Sequence, residues 1–128
     1  MLTDMKLIGF LVTIDYDRAR EFYEQKLGFE FVSVDQYALV MRTAKNMIRI
    51  TKIKNFTPAR NTVLGWEVEN IEDEVRMLTQ RGIEFENYPF IQDHELRIWT
   101  APGGDKIAWF KDPDGNVLSL STHQQLAP

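Results

Sequence analysis

The chain has 128 residues, a formal net charge of −4, a pI near 5.2 and no cysteine. This length suits about one domain, whose halves share a core or form paired lobes. The acidic balance argues against nucleic acid as a partner, and the lack of cysteine removes disulfides, thiolate nucleophiles and cysteine metal sites. With no apolar run of roughly 18 residues and no signal-peptide pattern, a cytoplasmic protein without a membrane partner is expected.

Residues 7 to 14 are apolar and β-branched and read as the first strand. Asp15 or Asp17 can cap the following helix, in which Ala19, Phe22, Tyr23 and Leu27 have helical spacing and Gly28 provides the stop. Strands are predicted at 29–34, 37–42 and 47–53, giving a βαβββ order, and the Pro58-containing stretch 54–61 reads as a linker. The second half starts with a strand over 63–68. A helix follows, capped by Asn70, facing inward through Ile71, Val75 and Leu78 and stopped at Gly82. Strands at 83–88 and 95–100, a Pro102–Asp105 turn and a strand at 106–111 come next. The Asp112-Pro113-Asp114-Gly115-Asn116 turn then leads into the last strand.

The halves echo each other. Asn46-Met47-Ile48-Arg49-Ile50-Thr51 has the pattern of Asn116-Val117-Leu118-Ser119-Leu120-Ser121, and the Gly28 stop is matched by Gly82. The fold class is therefore α+β. Two βαβββ modules, about 6–54 and 62–122 of one domain, are expected to form a curled mixed sheet around a concavity. Two-residue periodicity divides each strand. Ile8, Phe10 and Val12 lie opposite Gly9, Leu11 and Thr13; Arg49 and Thr51 oppose Ile48 and Ile50; Ser119 and Ser121 oppose Leu118 and Leu120. The first member of each comparison is assigned to the concavity.

The double module, the Phe22-Tyr23-Glu24-Gln25-Lys26-Leu27-Gly28-Phe29 segment and the Asp112–Asn116 turn together resemble the vicinal oxygen chelate superfamily. That group includes glyoxalase I, bleomycin resistance proteins and extradiol dioxygenases. The resemblance implies a metal held by His or Glu on the first and last strands of the modules. Carried over position by position, the ligands fall on Ile8, Val63 and Ser119 and near Arg49. None is a usual ligand, so neither a metal nor another cofactor is expected. The resemblance also implies a homodimer, in which modules pair within one chain or are exchanged.

The candidate ligand-binding residues are Phe10, Val12, Tyr37, Arg49, Thr51, Glu67, Trp99, Trp109 and Ser119. Trp109 alternates with Phe110 and faces the concavity if Phe110 is core, whereas Trp66 is assigned to core packing. Trp99 is balanced between pocket wall and dimer contact. Arg49 can grip a ligand carboxylate or phosphate, or pair internally with Glu67. Glu67 is a weak candidate general base, provided that burial raises its pKa. His94 reads as a surface-loop residue and His123 as a solvated tail residue. The first functional reading is a metal-free protein binding a small hydrophobic or aromatic molecule. The alternative is a lyase, isomerase or dioxygenase of the same superfamily, with an unconventional metal site or Glu67 as base. A structural or interaction module is a third class, and the residues leave open whether the protein is an enzyme.

Overall fold

A computed structural model of the chain describes residues 1–124. They form two compact units: Met1–Pro58 with Pro113–Asn116, and Ala59–Asp112 with the segment from Val117 onward.

In the first unit, β1 (Ile8–Thr13) runs parallel to β4 (Asn46–Lys52), which continues antiparallel through β3 (Leu39–Thr43) to β2 (Glu30–Val34). The predicted alternation is realised: Leu11 and Thr13 are buried while Ile8 and Phe10 are exposed. Asp15 starts helix α1 (Tyr16–Arg20) by accepting hydrogen bonds from the Asp17 and Arg18 amides, which satisfies donors that have no intrahelical partner. The predicted regular helix to Leu27 is not formed. Residues Glu21–Lys26 are wound more widely as a π-helical segment, closed by the Leu27 amide donating to the Phe22 carbonyl. This segment buries Phe22 and Tyr23, and Tyr23 packs on Phe29 with ring centroids 5.2 Å apart. Gly28 turns the chain at φ 80°, a conformation costly for a residue with a Cβ. The strand expected from residue 37 begins at Leu39, because the Asp35 carboxylate captures the Tyr37 and Ala38 amides in a turn.

The Pro113–Asn116 turn, which leads into the last strand, packs with the first unit. The Asp114 side chain is 1% exposed and accepts hydrogen bonds from the Thr13 hydroxyl, the Ile14 amide at 3.0 Å and Arg18 Nη2 at 2.8 Å. The Asn116 side-chain amide donates to the Val12 carbonyl at 2.9 Å. One carboxylate thus secures the end of β1 and the first turn of α1.

In the second unit, β5 (Thr62–Glu67) runs parallel to β8 (Val117–Thr122), followed by antiparallel β7 (Lys106–Lys111) and β6 (Trp99–Thr100). The sheets have corresponding strand orders and register: Phe10 lies opposite Arg49 in one, and Gly65 opposite Ser119 in the other. Asn70 caps α2 (Ile71–Gln80) through the Asp73 amide, and Ile71, Val75 and Leu78 are buried as the periodicity predicts. The core centres on Phe110, with Trp66 stacked at 6.1 Å and Phe85 edge-on at 5.3 Å.

Two predicted strands are corrected. Instead of a strand over 83–88 there is one bridge, Phe85 to Phe110, together with a Glu86 amide bond to the Trp109 carbonyl. Pro89 lacks an amide hydrogen and cannot extend the ladder. The strand expected at 95–100 is reduced to Trp99–Thr100. Asp93 accepts the Glu95 and Leu96 amides, and Arg97 is left-handed at φ 62°. The outer strand is therefore split around a long excursion.

At the acidic N-terminal turn of α2, Glu72 accepts a 2.7 Å hydrogen bond from Lys106 Nζ. This bond, more than any other influence, holds its carboxyl below the ordinary glutamate value. The stabilisation is consequently present at neutral pH and lost as acid protonates Glu72 below the ordinary range. Both side chains are a third or more exposed, so screening limits the contribution to less than ~1 kcal/mol. Lys106→Met should lower the urea midpoint slightly at about pH 7, with the deficit shrinking at about pH 3. A deficit unchanged by acid would show that the ion pair contributes nothing.

Candidate functional site

In each sheet the strands alternate between a buried face and a more open one. In the first unit the open face presents Phe10, 67% exposed, beside half-buried Arg49, with Val12 beside Thr51 in the next row. Val40 lies on the other side of Arg49. Tyr37 occupies the exposed turn before β3. There the Tyr37 and Ala38 amides, and more weakly the Arg49 cation, hold the Asp35 carboxyl below its ordinary value. Arg49 thus adds positive charge to a largely apolar surface.

In the second unit, one open-face row runs Gly65, Ser119, Trp109 and the next runs Glu67, Ser121, Ile107, Trp99. Ser119 is 8% exposed. A Cβ at position 65 would stand 2.8 Å from its hydroxyl, so glycine gives that hydroxyl its space. Trp109 lies among aromatic rings: Tyr88 at 5.6 Å, Phe90 at 5.8 Å and Trp99 at 6.0 Å. Tyr88 and Phe90 stack at 5.5 Å. Arg60, Asn61, Tyr88, Phe90, Trp109 and Val117 border a cleft of about 300 Å³. A larger hollow of about 570 Å³ lies along α2 and the Glu95–Arg97 turn, and no predicted site residue lines it.

The structure thus brings Trp99 and Trp109 into one cluster and sets Ser119 opposite Trp109 in the ladder. Phe10, Val12, Arg49 and Thr51 form a separate group in the first unit. Glu67 is exposed on β5, without the apolar enclosure required by its proposed role as a base. Trp66, assigned to core packing, is half-buried and stacks on the core residue Phe110.

The sequence reading missed Arg60, Tyr88 and Phe90. The Tyr88-Pro89-Phe90 run, two rings around a helix and ladder breaker, was the available signal. His94 is exposed and bonds Asn87 at 2.8 Å, in keeping with a surface loop. The assignment of His123 as a solvated tail residue is corrected. Its Nε2 lies 2.7 Å from Ser121 Oγ, and its Nδ1 lies 3.1 Å from Asp105 Oδ2.

The donor chemistry does not fit the metal that the resemblance implies. Ile8 and Val63 have no lone pairs to offer, Arg49 is a cation, and Ser119 has a neutral hydroxyl. Among the described residues no three His, Cys, Asp or Glu side chains are grouped to hold an ion. Among those residues, too, no helix is long and apolar enough to cross a membrane.

The fold has many solved counterparts. A glyoxalase family protein from Enterococcus faecalis is 23% identical, with 94% of this chain and 99% of that one covered and a TM-score of 0.71. A bleomycin resistance determinant encoded on the transposon Tn5 is 21% identical, with 94% and 98% covered and a TM-score of 0.73. A superfamily member from Sphaerobacter thermophilus is 21% identical, with 96% and 100% covered and a TM-score of 0.71. No curated protein matches the sequence. The protein-family model described as Glyoxalase/Bleomycin resistance protein/Dioxygenase superfamily matches residues 7–120. That match spans most of the chain and both modules, so the chain belongs to that superfamily.

Proposed function

We propose that this protein is a metal-free binder that sequesters a small aromatic or hydrophobic molecule. The observation carrying this reading is the ring cluster of Tyr88, Phe90, Trp99 and Trp109 beside the Arg60 cleft. Aromatic walls contribute large contact area at little conformational cost, and a nearby guanidinium suits a planar ligand bearing a carboxylate. The larger hollow along α2 lacks such a ring cluster among its lining residues, so the aromatic cleft is the preferred site. The fold shared with the bleomycin resistance determinant encoded on Tn5 supports this class of function. A homodimer in the cytoplasm belongs to the same proposal.

Two measurements test it. Elemental mass spectrometry after incubation with zinc, nickel, manganese and ferrous iron should find no stoichiometric ion. Retention of one would favour the alternative lyase, isomerase or dioxygenase with displaced ligands. In a thermal-shift series, a planar aromatic carboxylate at about 100 times its Kd should stabilise the protein by about 2.7 kcal/mol. No stabilisation by any aromatic compound, charged or neutral, would reject the binder.

A further inference from the structure

Ser121, His123 and Asp105 form a linked row in the second unit. The Asp105 carboxylate accepts the Gln124 amide through Oδ1 and faces His123 Nδ1 at 3.1 Å through Oδ2. An ionised carboxylate only accepts, so Nδ1 carries the hydrogen. The neutral imidazole then presents a lone pair at Nε2, 2.7 Å from Ser121 Oγ. This tautomer is the one needed to withdraw a proton from the serine. The three positions converge because β8 ends beside the turn preceding β7, where the Ala101 amide donates to the Asp105 carbonyl. The His123 and Asp105 side chains are 34% and 30% exposed, and Ser121 is on the open sheet face in the row ending at Trp99.

We propose that Ser121 is a nucleophile, activated by His123 and oriented through Asp105, that is acylated by esters of small aromatic acids. The aromatic preference rests on the binding reading above; the nucleophile does not. Oγ attacks the ester carbonyl and its proton passes to Nε2. The carbonyl–alkoxide bond then breaks and the departing alkoxide takes that proton, leaving an ester on Ser121. Water, deprotonated by the same imidazole, can later release the acid. β8 is paired on both sides, with β5 and β7, so its backbone amides are committed to the ladder. Acylation and deacylation both pass through an oxyanion that free donors would stabilise, so both steps are slow here. Covalent capture with slow turnover is therefore the expected behaviour.

The test treats the full chain with a fluorophosphonate, which forms an Oγ–P bond and expels fluoride, and locates the adduct by peptide mass spectrometry. One adduct on Ser121 is expected, absent in Ser121→Ala. Its rate should fall about 100-fold in His123→Ala, on the scale of general-base effects; added imidazole should partly restore it. Circular dichroism of each variant separates lost reactivity from lost folding. No adduct, an adduct elsewhere, or labelling indifferent to His123→Ala in a folded variant overturns the proposal. Preference for p-nitrophenyl benzoate over the acetate tests the aromatic component alone. Labelled Ser121 without that preference retains the nucleophile and removes the aromatic ester class.

Discussion

Asp114→Ala should destabilise the protein by about 3 kcal/mol, read as a lower urea midpoint with the slope retained. Asp114 is buried and accepts from a hydroxyl, a backbone amide and a guanidinium. Bonds to a charged group contribute about 1.5–3 kcal/mol each, without simple additivity. Alanine would leave the Ile14 amide and Arg18 without that acceptor. The Thr13 hydroxyl keeps one alternative, since it also donates to the Asp15 carbonyl at 3.1 Å. Arg18→Ala should cost less than Asp114→Ala, because the buried carboxylate then keeps the Thr13 hydroxyl and the Ile14 amide. Equal losses in the two variants would mean that the ion pair, not the carboxylate's set of bonds, carries the effect. A loss below ~0.5 kcal/mol for Asp114→Ala would remove the clamp from the account of stability.

Trp109→Ala should weaken binding of a planar aromatic ligand by about 100-fold, or ~2.7 kcal/mol, measured by titration calorimetry with 2-naphthoate. Trp109 is the ring that meets Tyr88, Phe90 and Trp99. Its removal deletes ligand contact and also frees the neighbouring rings to collapse into the gap. Trp109→Phe, which keeps an aromatic face, should retain most of the affinity. Arg60→Ala should weaken 2-naphthoate binding but leave that of neutral naphthalene nearly unchanged, because only the carboxylate engages the guanidinium. Unaltered affinity in Trp109→Ala would move the binding site away from the aromatic cleft.

The parts legible in the sequence obey local rules. Two-residue alternation separates Leu11 and Thr13 from Ile8 and Phe10, and a polar residue before an amphipathic run offers Asp15 or Asp17 as one cap, of which Asp15 serves, and Asn70 as the other. The internal echo gives the paired module order, because like patterns fold into like elements. The candidate site was only partly visible. Trp109 could be nominated from strand alternation and Trp99 from its place in the inserted segment, whereas Tyr88 and Phe90 lie in an excursion with no period to assign their direction. The Asp112–Asn116 run announces a turn, but turn rules do not say which distant amides Asp114 reaches. His123 resembles tail sequence until the Pro102–Asp105 turn supplies Asp105. Such long-range pairings are set by the folded path of the chain and leave no fixed spacing to detect.

The Asp114 clamp also bears on how this gene can be divided or rearranged. Residues 1–58 look like a self-contained half, yet a carboxylate that secures their first strand and helix is encoded more than fifty codons beyond them. The corresponding turn of the first module, Thr43-Ala44-Lys45, contains no acid to return the contact. A split at the linker deprives the amino-terminal fragment of its anchor, while the carboxy-terminal fragment loses a turn's packing partner. The duplicated pattern is symmetrical in its strands but not in its self-sufficiency, so neither copy is an interchangeable cassette.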